Sequence, residues 1–222
     1  MIHAVLFDLD GTLLDRESSI RRFISEQYER FSSHLSQIQK DAYTTRFLAL
    51  ENKGYVWKDR VYEQLITDFS ISTLTPEVLL EDYIQNFKHY ASLFPYTKKM
   101  LQILNDNNIK LAIITNGFET FQMANIYKLD IQRFFSAILI SEKEGIKKPN
   151  PIIFARALQR LNVVPEGSLF VGDHPFYDIE GAKQAGMKTA WKQSNEHKQA
   201  DADFTFHDFP DLLDFVLRQN KR

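Results

Sequence analysis

Apolar and polar positions alternate in blocks along this chain. Residues Ile2 to Phe7 read as a short buried strand. Asp8-Leu9-Asp10-Gly11-Thr12 stops it at once, with Gly11 as the turn signal. The texture then becomes helical. Ile20, Phe23, Ile24, Tyr28, Phe31, Leu35 and Ile38 recur at helix spacing, and Val61, Leu65, Ile66 and Phe69 form a second apolar face. Thr75-Pro76-Glu77 reads as a helix start with an N-cap hydroxyl and a first-turn proline. From about Arg16 to about Ser92 the pattern predicts helices and no strand.

After Phe94-Pro95 the two periods alternate. Helix Thr97–Asn107 precedes strand Lys110–Ile114, and helix Glu119–Tyr127 precedes a short apolar run, Ala137–Ile140. Asn150-Pro151 caps a helix running to about Leu161, followed by strand Ser168–Val171. A helix near Asp178–Ala185, a strand around Thr189–Trp191, a strand at Phe204–Phe206 and a helix Asp211–Leu217 complete the chain. Such alternation predicts a parallel sheet covered on both faces, to which the first strand also belongs. The expected fold is therefore α/β, a doubly wound, Rossmann-like parallel sheet. Residues 1–15 and 93–222 form the core domain, and residues 16–92 an inserted all-helical domain.

Composition narrows the classes of partner. The 27 basic and 29 acidic residues leave a formal charge of −2, and the basic residues are scattered, which argues against nucleic acid as a partner. With no cysteine there is no disulfide, thiolate metal site or cysteine nucleophile. No apolar stretch approaches the roughly 18 residues of a membrane span, and no signal peptide is visible. The expectation is a soluble, cytoplasmic protein with no membrane contact and no obligate protein partner.

In open α/β sheets ligands bind beyond the carboxyl ends of the strands. The residues expected there are Asp8 and Asp10, then Thr115-Asn116-Gly117, then Gly172-Asp173, with Lys147-Lys148-Pro149 just before a helix start. Clustered carboxylates need a cation among them, and hard oxygen donors suit Mg²⁺. A hydroxyl, the main-chain N–H groups of a Gly turn and an ammonium suit phosphate oxygens. In such a phosphoryl site Asp8 can serve as nucleophile and Asp10 as general acid and then general base. The bland readings are a solvated turn for the first motif, a helix cap for Asp178 and core packing for Phe23, Tyr28, Phe31, Trp57 and Tyr62. A histidine beside oxygen donors does not make a transition-metal site, so His174 is not expected to be a ligand.

The ordered set resembles the haloacid dehalogenase (HAD) superfamily. It comprises Asp8-Leu9-Asp10-Gly11-Thr12, Thr115-Asn116-Gly117, Lys148-Pro149 and Gly172-Asp173 with Asp178. The likeness extends to Ser141, Gly145, the run Pro149 to Phe154 and the run Asp178 to Ala182, over about two thirds of the chain. It implies that the helical insertion is a cap that excludes water and holds the leaving group. It also implies Asp8 as nucleophile and metal ligand, and Asp10 as acid/base with its carbonyl on the metal. Thr115 and Asn116 would contact the phosphoryl group, Lys148 rather than Lys147 would neutralise it, Asp173 would complete the Mg²⁺ carboxylates, and Asp178 would stand behind them. Tyr177 departs from the pattern, since relatives often carry Asn there.

The implied activity is a Mg²⁺-dependent phosphomonoester hydrolase acting on a small phosphorylated metabolite through an aspartyl-phosphate. A haloalkanoate dehalogenase on the same fold would not need Asp10 or a metal. A phosphomutase would need a cap acid/base that the sequence does not reveal. A phospho-accepting receiver module would be shorter, without the insertion or the second acid.

Overall fold

The computed structural model describes residues 1–194 and 197–221. Strand β1 (Ala4–Phe7) is followed by helices α1 (Arg16–Arg30), α2 (Ser32–Leu35), α3 (Lys40–Glu51), α4 (Lys58–Asp68) and α5 (Pro76–Asn86). Then come α6 (Thr97–Asp106), β2 (Lys110–Thr115), α7 (Glu119–Lys128), β3 (Ala137–Ile140), α8 (Ser141–Glu144), α9 (Pro151–Leu161) and β4 (Ser168–Gly172). The last elements are α10 (Gly181–Gln184), β5 (Lys188–Lys192), β6 (Phe204–Phe206) and α11 (Phe209–Asn220). Contacts divide the chain into two compact units, residues 1–15 with 93–221, and residues 16–92. No helix among the described residues is long and apolar enough to cross a membrane.

The first unit is a six-stranded sheet in the order β3-β2-β1-β4-β5-β6, with every pairing parallel. The chain builds outward from β1 through β2 and β3, then returns to lay β4 on the other side of β1. That reversal opens a crevice beyond the carboxyl ends of β1, β2 and β4. All four residues of β1 are buried, as a central strand covered on both faces requires.

Side chains alternate across the sheet, so Ala4, Leu6, Ala112, Ile114, Leu139 and Phe170 share one face. Helix α9 covers that face with Ile153, Phe154, Ala157, Leu158 and Leu161, a stripe at helical spacing. Phe154 meets Phe170 edge to face at 5.0 Å. Each such side chain contributes about 1.5–3 kcal/mol of burial. Asn150 caps α9 by accepting from the Ile152 amide at 3.0 Å, and Asn162 ends it in a left-handed conformation.

The helix expected near Asp178–Ala185 is shorter, Gly181–Gln184, and is preceded by a wide π-type turn over Pro175–Glu180. Pro175 lacks an N–H, and the His174 Nδ1 accepts from the Phe176 and Tyr177 amides, both at 3.1 Å, so the first turn is held open.

In the helical unit, the face expected to run from Ile20 to Ile38 breaks at Phe31, between α1 and α2. Helix α3 falls within the stretch expected to be helical, but no apolar face marked it. It buries only Tyr43, Phe47 and Glu51, two apolar residues and an acid. Thr75 stands at the N-cap of α5 as expected, but its hydroxyl makes no bond to the first-turn amides. Phe23 and Tyr62 are buried, while Tyr28, Phe31 and Trp57 are half-buried. The buried Glu51 accepts two bonds from Arg16, at 3.2 and 2.5 Å, and faces the buried Lys58 ammonium at 3.1 Å.

Candidate active site

Strand β1 delivers Asp8 to the crevice, and its amide still donates to the Val171 carbonyl at 2.9 Å. The chain then turns sharply, with the Leu9 carbonyl accepting from the amides of Thr12, Leu13 and Leu14. Gly11 sits at φ 84°, and a Cβ there would lie 2.3 Å from the Asp173 Oδ2. Only glycine lets this turn pass so close to the carboxylate at the end of β4.

The Lys148 ammonium is buried between two carboxylates, 2.5 Å from Asp8 Oδ1 and 2.6 Å from Asp178 Oδ1. Burial lowers its proton affinity, but the Asp178 and Asp8 charges outweigh burial and hold it above its ordinary value. The other Asp178 oxygen accepts from the His174 amide at 3.0 Å, so both its oxygens are engaged inside the protein. Asp178 is therefore no helix cap; it braces Lys148 and the π-type turn. Lys147 is exposed.

One lysine does not neutralise the cluster. Burial pushes the Asp8 carboxyl up to about 7, because Lys148 offsets it only in part and Asp178 adds repulsion. Burial and the Asp8 charge likewise raise Asp173 well above the ordinary range. The Thr12 hydroxyl stands 3.3 Å from Asp8 Oδ2 and 3.4 Å from Asp173 Oδ1, yet it has one proton to give. Asp8, Asp173 and Asp178 offer oxygens that all lie within 4.8 Å of one another. A crowded set of hard, under-neutralised oxygens fits a divalent cation such as Mg²⁺. The Trp191 indole N–H fixes the Asp173 main chain, donating to its carbonyl at 2.7 Å.

On the other side of β1, strand β2 ends at the buried Thr115. The Asn116 side chain does not face outward to a phosphate. Its Oδ1 accepts from the Lys148 amide at 2.9 Å and its Nδ2 donates to the Lys148 carbonyl at 3.1 Å. The Gly117 amide, expected as an anion donor, donates to Ser141 Oγ at 2.9 Å. These bonds knit the β2 turn to the segments that follow β3. Of the anion donors expected from the sequence, that leaves the Thr115 hydroxyl and the Lys148 ammonium.

Two contributors were not singled out from the sequence, Trp191 and Gln122, and Thr12 was quoted within the first motif but given no role. Gln122 Nε2 lies 2.6 Å from Asp10 Oδ2 and 2.8 Å from Thr115 Oγ1. The available signal was its place on the inward face of α7, where polar Gln122 and Asn125 occupy positions that the pattern of Ile126 and Leu129 marks as buried. His174 Nδ1 is spent on the turn, and its ring packs on Tyr177 with centroids 4.3 Å apart.

Comparison with known proteins gives the family. Residues 5–192 match the family model of haloacid dehalogenase-like hydrolases. A glyceraldehyde 3-phosphate phosphatase of Pyrococcus furiosus is 30% identical over 99% of this chain and 95% of its own length. A phosphoglycolate phosphatase of Aquifex aeolicus is 30% identical over 84% of each chain. Among solved structures, a HAD phosphatase from Thermococcus onnurineus superposes with a TM-score of 0.69 at 30% identity, covering 97% of this chain and 98% of its own. The chain belongs to the haloacid dehalogenase-like hydrolase family, and it is an enzyme of that family whose curated relatives include phosphatases.

Proposed function

We propose that this protein is a Mg²⁺-dependent phosphomonoester hydrolase that turns over through a phosphoryl group carried on Asp8. The observation that carries the reading is the contact of Lys148 Nζ with Asp8 Oδ1 at 2.5 Å, beside a carboxylate pair that one lysine leaves under-neutralised. Lys148 holds one Asp8 oxygen, so the other, met by the Thr12 hydroxyl at a long 3.3 Å, is the one assigned to attack phosphorus.

Asp8, Asp173 and the Asp10 carbonyl would hold the metal, with Asp178 standing behind them on Lys148. When bound, Mg²⁺ supplies charge neutralisation for the carboxylates and for phosphate oxygens. Thr115 donates its hydroxyl to a phosphoryl oxygen, and Lys148 contributes its charge to the same group. Residue 116 would meet the phosphate only through its main chain, since its side chain holds Lys148. Asp10 gives a proton to the departing oxygen, then takes one from the water that opens the acyl phosphate at Asp8. Positioning and electrostatics do most of the work in such a site.

The substrate class is a small phosphorylated metabolite. Specificity is assigned to the helical unit, residues 16–92, read as a cap. The relatives named for glyceraldehyde 3-phosphate and phosphoglycolate make three-carbon and two-carbon phosphates the first compounds to try. The test is release of inorganic phosphate across a metabolite panel with and without Mg²⁺. Multiple turnover that needs Mg²⁺ supports the reading. A product that keeps its phosphate, or a single stoichiometric phosphorylation, overturns it.

A further inference from the structure

We infer that Gln122 is a positioning residue that sets the orientation of both Asp10 and Thr115 through one amide nitrogen. The inference rests on the reading of Asp10 as acid/base and Thr115 as phosphoryl ligand.

Three oxygens face Gln122 Nε2: Asp10 Oδ2 at 2.6 Å, Thr115 Oγ1 at 2.8 Å and the Asn116 carbonyl at 3.3 Å. The carbonyl can only accept, so the atom facing it is the amide nitrogen and not the amide oxygen. Its two hydrogens go to the two short contacts. On Asp10, an N–H seated on Oδ2 leaves Oδ1 to carry the proton given to the leaving oxygen. On Thr115, an N–H seated on a lone pair of Oγ1 leaves the hydroxyl hydrogen to point elsewhere. Among the described residues its one other partner is the Asn116 carbonyl at a slack 3.5 Å, so the hydroxyl is available to a phosphoryl oxygen.

The surroundings hold the amide in this sense. Gln122 is 2% exposed, and its Oε1 faces Asn125 Nδ2 at 3.5 Å. Asn125 keeps that orientation although its own buried Oδ1 finds no partner among the described residues. Turning Asn125 over would set two oxygens against each other. Gly117 makes room for the side chain. At φ 150°, a Cβ there would stand 3.1 Å from Gln122 Cγ and 3.2 Å from its Nε2. The turn after β2 thus carries glycine where a methyl group would crowd the amide.

Leaving-group dependence is a readout that a merely structural role would not give. An aryl phosphate such as 4-nitrophenyl phosphate departs with little help from an acid, whereas an alkyl phosphate needs its oxygen protonated. Gln122→Met keeps the volume and removes the donor. Gln122→Glu keeps the shape and sets a carboxylate against Asp10. In the full-length protein with Mg²⁺, both variants should lower kcat for an alkyl phosphate by about 10–100-fold, the cost of misplacing a catalytic group. Loss on the aryl ester should be several-fold smaller, and KM should change less than kcat. Should one variant fail to fold, the other carries the test. An unchanged kcat, or an equal loss on both esters with the fold retained, overturns the inference. Asp8→Asn, run alongside, separates the two levels. If Asp8→Asn stays active the phosphatase reading falls, whereas if it is inactive and Gln122→Met is unimpaired only the role of Gln122 falls.

Discussion

The Asn116 carboxamide grips the main chain of Lys148 at both polar groups, accepting from its N–H at 2.9 Å and donating to its C=O at 3.1 Å. The residue after β2 thereby fixes a lysine that arrives from a loop thirty-two positions later. Lys148 can bridge Asp8 and Asp178 because its backbone is anchored before its side chain extends. Asn116→Ala removes both bonds and should cost about 1–3 kcal/mol of stability. It should also lower kcat by at least about 10-fold, because a loosened Lys148 no longer holds Asp8. Steady-state kinetics and a urea denaturation curve check the two effects. Activity equal to the parent enzyme's would show that Lys148 needs no such anchor.

The crowded carboxylates make stability depend on pH and metal together. Asp8 is raised from 3.8 to about 7 in the folded, metal-free protein, and Asp173 is raised as well, so the folded state holds more protons than the unfolded chain across that interval. Stability of the metal-free protein therefore falls as pH climbs from about 4 to 7, the reverse of a carboxylate stabilised by an ion pair. A divalent cation competes with those protons, so its stabilisation should grow over the same window. At pH 7.5, Mg²⁺ at a hundred times its dissociation constant should add about 2.7 kcal/mol, on the order of 5–10 °C in Tm. At pH 5 the shift should be much smaller. Thermal melts with and without Mg²⁺ at both values check this, and equal shifts would contradict it.

Much of this site was legible because parallel strands end in one place. Once β1, β2 and β4 were read as strands of one parallel sheet, Asp8, Thr115 and Asp173 had to share an edge. The Asn150-Pro151 start of α9 was equally plain, since an N-cap amide followed by a first-turn proline is a local signal. Other parts stayed hidden for physical reasons. Helix α3 buries an acid, Glu51, as the third member of its inward face, so hydrophobic periodicity was blind to it. The π-type turn depends on His174 capping the amides two and three residues on, a local cap that a hydrophobic pattern does not register. Asn116 and Gly117 looked like anion donors because no local rule shows that Lys148 and Ser141 occupy them.

Gly11 offers a test of how tightly the first loop is set against Asp173. Gly11→Ala places a methyl group 2.3 Å from Asp173 Oδ2 and strains a residue at φ 84°. The carboxylate must shift, so the Mg²⁺ concentration for half-maximal activity should rise by at least about 10-fold, with a strain cost of about 1–2 kcal/mol. Mg²⁺ titration of activity measures it. An unchanged titration would mean that Asp173 tolerates displacement and does not hold the metal.

The helical unit has its own weak point. Arg16 and Lys58 overcome the burial of Glu51 and keep its carboxyl below the ordinary range. Glu51→Ala removes the carboxylate that both cations contact and should destabilise the unit by about 3–5 kcal/mol. Urea unfolding followed by tryptophan fluorescence reads the loss. A change under about 1 kcal/mol would show that the cluster is structurally idle.

The central claim is that one oxygen of Asp8 bonds to phosphorus during turnover. Mixing the Mg²⁺-loaded enzyme with a small phosphomonoester, quenching in acid within milliseconds and mapping the peptides by mass tests it directly. A single phosphoryl group on the peptide containing Asp8, absent in Asp8→Asn, is the expected result. A phosphoryl group on any other residue, or full turnover by Asp8→Asn, would contradict the account.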